Sequence, residues 1–306
     1  MNRLPLLGLF GLFSLITINV DLHFHTAWAD EPSPDRTSMF NEQWLATVVS
    51  VEQLAQQKQP DGTTKMVPTP IGTGFIVKTR NKHVVLITAK HVVTDIVDSK
   101  QQTRKNLLYR INQQEGPAYL LEDLQLEENG RGKWFLSATQ DVACRFLEWK
   151  ETSKFKAIPL DKFLPRTKLQ TGANLLVLGL PLGLRSEEHP NPIARKGMVA
   201  RADRGDLLAD AFVFPGNSGG PVLYEPPIKI TGNGLIASPF INEEHLIGLV
   251  SEFISYPETA ISMQTKRPRV IFEENSGLAI IVPVDAITEL LSRDDVSKLD
   301  SFIEPK

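Results

Sequence analysis

A succession of short β-type runs separated by turn residues limits the fold more than any other feature of the chain. Valine, isoleucine and phenylalanine are frequent in these runs, and Asp-Gly or Asn-Gly pairs fall between several of them. The runs are WLATVVSVE, IGTGFIVKT, HVVLITA, LLVLGL, AFVF, HLIGLVSEF and LAIIVPV. Many short strands with little helix predict an all-β barrel or sandwich.

Two segments are predicted to be helical. One is a turn after Lys90, with the sequence HVVTDIVD, and the other is a C-terminal helix over residues 285–299 with an apolar face. The segments 99–137 and 224–244 are long, polar and marked by glycine and proline. They are therefore expected to form hairpin insertions or surface loops.

The composition favours a globular domain that does not bind nucleic acid. The chain has 306 residues, of which 42% are hydrophobic, and this is enough for one large domain or two small ones. Its formal net charge is −3. That balance gives no electrostatic basis for binding nucleic acid or an anionic membrane.

The N-terminal residues have the pattern of an export signal. A short start with one arginine precedes an apolar run over residues 4–20, and Ala-Trp-Ala at residues 27–29 forms a small-x-small cleavage pattern. Residues 1–29 are thus predicted to be a signal peptide, followed by a linker over residues 30–43. The alternative is a membrane anchor formed by uncleaved residues 4–20, although this run is shorter than the ~20 residues of a spanning helix.

Cys144 is the only cysteine, so the chain contains no internal disulfide. An exported chain of this size without a disulfide must be stabilised by its core. Together with the predicted signal peptide, this favours the bacterial periplasm or the cell exterior as its location.

The stretch FPGNSGGPV, residues 214–222, surrounds Ser218 with glycines and prolines. Glycine lowers stability in regular elements and proline removes a backbone donor, so the cluster indicates a backbone bent for a purpose. Ser218 is a candidate nucleophile. A serine hydroxyl needs a base to remove its proton and a third group to orient that base.

His91 and Asp141 are the candidate partners of Ser218. His91 directly follows an apolar strand, where a strand end can point an imidazole into a cleft, and Asp141 opens a hydrophobic run after a polar loop. A partly buried histidine satisfied by backbone and an ordinary turn aspartate are the alternatives. The chain order His91, Asp141, Ser218 is one known order for this chemistry.

Four motifs in order resemble the trypsin/chymotrypsin-fold serine peptidases: GTGFIV, TAKHVV, DVA and GNSGGP. LGLPLG, DAFVFPGNSGG and SGLAIIVPVDAI further resemble the Deg-type (HtrA-like) bacterial branch of that family. The resemblance covers most of the chain after the predicted linker, from Trp44 to Leu291.

The resemblance implies two six-stranded antiparallel β-barrels, over residues 44–160 and 161–290, in a protease domain that spans residues 44–306 and carries a C-terminal helix. The first barrel would carry His91 and Asp141, and the second would carry Ser218. The backbone N–H groups of Gly216 and Ser218 would form the oxyanion hole.

The function implied is that of an exported serine endopeptidase that acts through an acyl-enzyme on unfolded or flexible protein segments. Its partners would be protein or peptide substrates, with a homo-oligomer left open, and no cofactor or metal is expected. One alternative is a degenerate protease fold that binds peptides without cleaving them. Another is an esterase, but such an enzyme carries its serine in a G-x-S-x-G turn before a helix, and proline follows the glycines here.

Two departures from related peptidases carry their own expectations. Asn217 stands where the digestive enzymes have an aspartate that pairs with a freed N-terminus, so activation by such a cut is not expected. Deg-type proteases commonly carry PDZ domains after the protease domain, but only about fifteen residues follow Leu291, too few for a domain.

The residues expected to determine substrate preference are selected by their separation in sequence from Ser218. Phe212 is expected near the floor of the primary specificity pocket, with a core position as its alternative. Leu249, Val250 and Ser251 are expected to lie in the strand that pairs with substrate backbone. With no aspartate at the expected floor, apolar residues are favoured over lysine or arginine on the substrate.

Overall fold

Strands dominate the part of the chain that the structure, a computed structural model, describes. That part comprises residues 41–113, 116–128, 131–148, 155–186, 189–203, 207–231, 234–237 and 243–301. The predicted signal peptide and most of the predicted linker lie outside the described residues, so both stay predictions. Among the described residues, no helix has both the length and the apolar character needed to cross a bilayer.

The described residues of the first half of the chain form ten strands and one α-helix. The strands are β1 (Val48–Lys58), β2 (Thr64–Lys78), β3 (Val84–Thr88), β4 (Thr94–Val97), β5 (Lys100–Thr103), β6 (Leu107–Ile111), β7 (Tyr119–Glu122), β8 (Phe135–Leu136), β9 (Ala143–Glu148) and β10 (Ile158–Pro159), and helix α1 covers Asp123–Glu128. Eight of these strands form one sheet in the order β7-β6-β1-β2-β3-β9-β8, with β10 parallel to the end of β2. The remaining two, β4 and β5, form a separate hairpin.

The second half, where the structure describes it, forms a closed barrel and two C-terminal helices. Its strands are β11 (Asn174–Gly179), β12 (Ile193–Arg201), β13 (Leu207–Asp210), β14 (Pro221–Tyr224), β15 (Ile228–Thr231), β16 (Gly234–Ala237), β17 (His245–Ile261) and β18 (Pro268–Pro283), and its helices are α2 (Val284–Ser292) and α3 (Asp294–Asp300). Six strands close the barrel in the order β11-β12-β13-β18-β17-β14. Single 3-10 turns occur at Glu42–Thr47, Lys90–Val92, Leu160–Lys162, Arg166–Lys168 and Pro181–Gly183.

The predicted all-β fold with two β units and a helical C-terminus is confirmed. The second unit is the expected six-stranded barrel. The first is an eight-stranded sheet whose end strands, β7 and β8, are not paired with each other in the described part of the chain. Strand β10 occupies the edge of β2 at Val77 and Lys78, which β1 leaves free because its pairing with β2 stops at Phe75.

The core of the first sheet accounts for the strongest apolar runs. All five residues of β3 are buried, as are the first five of β1, whereas the far end of β1 is largely exposed where it pairs with the start of β2. The same buried cluster takes in one face of α2, including Ile287 and Leu290. Apolar burial of this kind contributes about 25 cal/mol per Å².

In the segment 99–137, predicted to form hairpin insertions or surface loops, β6 and β7 do form a hairpin, but the expected surface position is wrong for β6. Strand β6 lies inside the first sheet, and Tyr109 is fully buried. Asp123 of this segment is buried with its carboxylate satisfied, since it bonds to the guanidinium of buried Arg145, to the Tyr109 hydroxyl and to the Leu107 N–H. The segment 224–244 likewise contains the predicted hairpin, formed by β15 and β16.

Both predicted helical segments differ in detail from the structure. The helical segment predicted after Lys90 is limited to one 3-10 turn, because residues 94–97 form strand β4. The C-terminal segment is broken between α2 and α3 at Arg293, which has extended dihedral angles (φ −63°, ψ 141°). There the Arg293 side chain donates to the Leu136 carbonyl and to Asp295.

Candidate active site

His91 lies at the end of the most deeply buried strand of the first sheet. Strand β3 ends at Thr88, and the 3-10 turn Lys90–Val92 follows at once. Within this turn Val92 is buried, while the His91 side chain is 50% exposed. The core therefore fixes the turn and leaves the imidazole accessible.

Asp141 lies beside this turn and holds His91 through two hydrogen bonds. Its Oδ2 atom is 2.7 Å from His91 Nδ1, and its Oδ1 atom accepts the His91 backbone N–H at 3.0 Å. A third bond comes from the Ser251 hydroxyl, which donates to Oδ2 at 2.6 Å. The carboxylate is thus fixed by groups from both halves of the fold.

These contacts determine the charge of Asp141. Burial by itself raises the pKa of the carboxyl, but the hydrogen bond and positive charge of His91, the Ser251 hydroxyl and the His91 backbone N–H together lower the pKa to about 2. Asp141 is therefore ionised at neutral pH and accepts a hydrogen bond from the Nδ1–H group of His91. With a proton on Nδ1, the Nε2 atom is the basic nitrogen of the neutral ring.

Ser218 lies in a tight turn that is held by hydrogen bonds among residues 214–220. The Asn217 side chain accepts the Phe214 N–H, the Asn217 N–H returns to the Phe214 carbonyl, and the Gly220 N–H donates to the Asn217 carbonyl. The turn then enters β14 and is tied to β17 by two bonds between Val250 and the Gly219–Gly220 backbone. Asn217 is fully buried, and its neutral side chain stabilises the turn through its hydrogen bond with the Phe214 N–H and not through an ion pair.

Thr73 of strand β2 joins this turn to the first sheet. Its N–H donates to the Ser218 carbonyl at 2.9 Å, and its hydroxyl donates to the Gly216 carbonyl at 2.6 Å. The same hydroxyl accepts the Leu180 N–H, and the Thr88 hydroxyl donates to the Thr73 carbonyl. Thr73 belongs to the motif GTGFIV, but this role was not predicted; a small polar residue between two glycines was the available signal.

The Ser218 turn lies directly against the segment that carries His91. A Cβ added to Gly219 would lie 2.8 Å from the Ala89 nitrogen, and a Cβ on Gly72 would meet both Val92 at 2.6 Å and the Ser218 carbonyl at 3.3 Å. Only glycine fits at these positions. The structure thus hydrogen-bonds His91 to Asp141 and packs the backbone around Ser218 against residues on both sides of His91.

Two backbone donors at the turn have no acceptor. Within the described residues, neither the Gly216 N–H nor the Ser218 N–H donates a hydrogen bond. Gly216 has a φ of +97°, and a Cβ there would overlap the Leu180 carbonyl oxygen. The glycine is therefore required both by its backbone angle and by the turn Pro181–Gly183 beneath it.

The residues predicted to bind substrate fall into different environments. Phe212 is 55% exposed with its ring against Gly277, so it is not a core residue. Leu249 and Val250 are buried in the barrel, where both backbone groups of Val250 bond to the serine turn. The contact of Ser251 with Asp141 was not predicted, since nothing in the sequence links residues 110 positions apart.

The described part of the chain contains no group of three or more histidine, cysteine, aspartate or glutamate side chains that could hold a metal ion. Cys144 is fully buried in β9, and burial raises the pKa of its thiol. It consequently remains a neutral thiol that packs as part of the core.

A fold of two β units with a histidine–aspartate pair packed against a glycine-rich serine turn defines a trypsin-type peptidase domain. Residues 72–225, half of the chain, match the family model described as "Trypsin-like peptidase domain". The chain belongs to this family, which confirms the peptidase family inferred from the four motifs. Comparison with curated proteins finds no match.

Similar solved structures include two of the HtrA-type protease AlgWS227A. The one with a decapeptide is 15% identical with a TM-score of 0.42, and the one with a tripeptide is 16% identical with a TM-score of 0.43. Each comparison covers 80% of this chain, against 62% and 58% of the other chain. The chain therefore spans about three fifths of the length of these structures.

Proposed function

We propose that the chain is a serine endopeptidase in which Ser218 is the nucleophile, His91 the general base and Asp141 the group that orients the base. The observation that carries the proposal is the Asp141 carboxylate, which bonds to His91 Nδ1 at 2.7 Å beside a serine turn with two free N–H donors. A purely structural histidine–aspartate pair would not require the glycines that bring this turn so close to the pair.

In the proposed reaction, Ser218 Oγ attacks the carbonyl carbon of the scissile peptide bond while His91 Nε2 accepts the hydroxyl proton. The tetrahedral intermediate collapses when the imidazolium returns that proton to the leaving amine, and an ester remains on Ser218. Water then attacks the ester with the same proton transfers and releases the acid. The ionised Asp141 stabilises the imidazolium in both stages.

The free N–H groups of Gly216 and Ser218 would form the oxyanion hole. Both belong to a turn whose backbone carbonyls at Phe214, Gly216, Asn217 and Ser218 accept hydrogen bonds from the protein, so the donors are fixed before the substrate arrives. Preorganised donors of this kind are worth ~2.7–4 kcal/mol each in the transition state.

The free edge of β17 supports unfolded or flexible protein segments as substrates. Strand β14 pairs with β17 only as far as Leu249, and the serine turn covers Val250. From Ser251 to Phe253 no described strand pairs with β17 on that side. An extended segment can add there by β-augmentation, whereas a folded chain must first release such a segment.

The export pattern in residues 1–29 supports a site of action in the periplasm or outside the cell. The alternative, an anchor formed by uncleaved residues 4–20, places the same domain at the membrane surface. N-terminal sequencing of the protein purified from a secreting host distinguishes the two, because cleavage yields a chain that starts at Asp30.

Covalent labelling tests the proposed chemistry directly. A fluorophosphonate probe is expected to label the wild-type protein at Ser218 and to leave both Ser218→Ala and His91→Ala unlabelled. Cleavage of a peptide library by the same samples would give the residues preferred on the substrate. A folded wild-type protein that binds peptides but takes up no probe would instead be a peptide-binding module without catalysis.

Activity without a freed N-terminus follows from the bonds of Asn217. Its neutral side chain accepts the Phe214 N–H inside the turn, so the turn is complete without an ion pair to a new terminal amine. Uncut protein should therefore react with the probe as fast as protein nicked by a second protease. Labelling that begins only after a cut would contradict this part of the proposal.

A further inference from the structure

Strands β17 and β18 continue beyond the barrel as a two-stranded arm, residues 255–275. Within the arm the strands pair from Ser255↔Asn275 to Ile261↔Pro268. Strand β13 pairs with β18 only from Leu278 onward, and β14 leaves β17 at Leu249. In the described part of the chain, both outer edges of the arm are consequently without a strand partner.

The arm exposes more apolar surface than a solvated hairpin requires. Six of its large hydrophobic side chains are at least half exposed: Tyr256, Ile261, Met263, Val270, Ile271 and Phe272. Unpaired strand edges with apolar side chains are templates for pairing with another chain, and apolar patches on monomers are usually small. This surface is therefore a candidate interface.

The two edges of the arm are not equivalent. Pro257 interrupts the β17 edge because proline lacks a backbone N–H, and proline is a common protection of exposed edges. The β18 edge has no proline between Arg269 and Glu273. Alternate residues of this stretch direct their N–H and C=O groups away from β17, and none of these groups is lost to proline, so β18 is the edge open to a partner.

The residues of this edge are self-complementary about Ile271. Arg269 lies two positions before Ile271 and Glu273 two positions after it, with Val270 and Phe272 between. Neither Arg269 nor Glu273 forms an ion pair with another described residue. In an antiparallel pair centred on Ile271, each arginine would face a glutamate and each valine a phenylalanine.

We propose that the arm is a homodimer interface in which β18 pairs antiparallel with β18 of a second copy, with Ile271 on the two-fold axis. Arg269 then lies opposite Glu273 of the partner subunit, and the symmetry gives this pair twice. The two arms form one four-stranded sheet, and Pro268 ends the new ladder at each side. An isologous contact of this kind closes and does not propagate into fibres.

A second copy explains the sequence of the edge better than an unrelated partner does. A foreign strand could pair with any register and would not need opposite charges at equal distances from one residue. Opposite charges on facing strands stabilise a register, and like charges destabilise it. The inference is independent of the proposed peptidase activity, because it uses no residue of the serine site.

Charge exchange provides the first test, with sedimentation velocity of the purified protein as the measurement. Arg269→Glu and Glu273→Arg each place like charges face to face twice in the dimer, so each should raise the dimer Kd about tenfold or more. The double variant Arg269→Glu/Glu273→Arg should restore the Kd to within about twofold of the wild type, since it recreates both pairs. Lys266→Glu is the matched control, since Lys266 precedes β18, and it should leave the Kd unchanged.

A single cysteine provides the second test. Residues directly opposite in an antiparallel pair have Cα atoms ~4.5–5.5 Å apart, which fits the ~4.4–6.8 Å of a disulfide. Because Cys144 is buried, Ile271→Cys should give a disulfide-linked dimer under mild oxidation. Ile96→Cys, on another exposed apolar residue, should remain monomeric on a non-reducing gel.

Three results would overturn the proposal. The wild-type protein could be monomeric at every concentration, which would leave the arm to another kind of partner. The double charge exchange could fail to restore the dimer although both single variants fold. Ile96→Cys could cross-link as readily as Ile271→Cys, which would show that the disulfide forms by random collision and not by pairing of the two β18 strands.

Discussion

Replacing Asp141 by asparagine removes one charge from the site and keeps the size of the side chain. In the folded protein the pKa of Asp141 falls from 3.8 to about 2, because the hydrogen bonds and charge of His91 and the Ser251 hydroxyl outweigh the effect of burial. The carboxylate therefore stabilises the folded state as well as orienting the imidazole. Asp141→Asn should weaken both functions.

The magnitude follows from linkage between protonation and folding. A pKa that is nearly two pH units lower in the folded protein corresponds to at most about 2.4 kcal/mol. The Asp141 side chain is 25% exposed and His91 50% exposed, so solvent screening reduces this to ~1–2 kcal/mol. Because the folded pKa is depressed, this stability is fully present above about pH 4 and is lost as the pH falls toward 2.

Urea unfolding of the wild type and Asp141→Asn at pH 7, 4 and 2.5 measures the effect. The variant should be less stable by ~1–2 kcal/mol at pH 7, and the difference should shrink by more than half at pH 2.5. Exposed Asp98, changed to asparagine, is the matched control and should change stability by less than about 0.5 kcal/mol at each pH. In the same samples the variant should label with a fluorophosphonate about 10⁴-fold more slowly, since the amide favours the wrong tautomer of His91.

The two readouts separate the physical argument from the functional one. A difference in stability that stays constant from pH 7 to 2.5 would refute the assignment of the low pKa to Asp141. Unchanged probe labelling in a variant with the expected loss of stability would leave the electrostatics intact and refute the catalytic role.

Three further variants test the parts around this pair. Gly216→Ala should lower the rate of probe labelling at least tenfold, because the φ of Gly216 is +97° and a Cβ there would overlap the Leu180 carbonyl oxygen. Labelling at the wild-type rate would contradict a preorganised oxyanion hole. Ser251→Ala should lower the free energy of unfolding in urea by ~1 kcal/mol and raise the pKa of Asp141, so that stability is lost at a higher pH than in the wild type. Loss of stability at the same pH as in the wild type would count against the hydrogen bond. Arg185→Met removes one of the two arginines that pair with fully buried Glu52, so the free energy of unfolding in urea should fall by ~1–3 kcal/mol. Unchanged stability would show that Arg110 alone satisfies the carboxylate.

The strands that the sequence predicted well are those whose apolar residues are buried by the sheet itself. The run HVVLITA contains β3, all of whose residues are buried, and LAIIVPV ends β18 in the barrel wall. Periodicity and burial agree there because each strand contributes to a continuous apolar core. The arm of β17 and β18 escaped prediction, since its residues are exposed and its strands stabilise only each other.

The segment around β6 shows where local patterns fail. Asp123 and Arg145 are charged and would each predict a surface position, yet both are buried because they neutralise one another across 22 residues of sequence. Burial of one charge is unfavourable without the other, so neither residue can be placed from its own neighbourhood. The same holds for Arg293, which bonds to the Leu136 carbonyl at the break between α2 and α3, a partner 157 positions away in the sequence.

The candidate site divides in the same way between local and long-range information. Ser218, His91 and Asp141 could be selected from the sequence because each lies in a short motif with a recognisable local shape. Their relative position depends on Thr73, which takes part in four hydrogen bonds that connect β2, β3, the turn after β11 and the Ser218 turn. No local property of a Gly-Thr-Gly sequence specifies those partners, which lie up to 145 residues away. A serine and a histidine can thus be found one at a time, whereas the packing of the Ser218 turn against the segment that carries His91 depends on the Thr73 hydroxyl and on the missing Cβ atoms of Gly72 and Gly219.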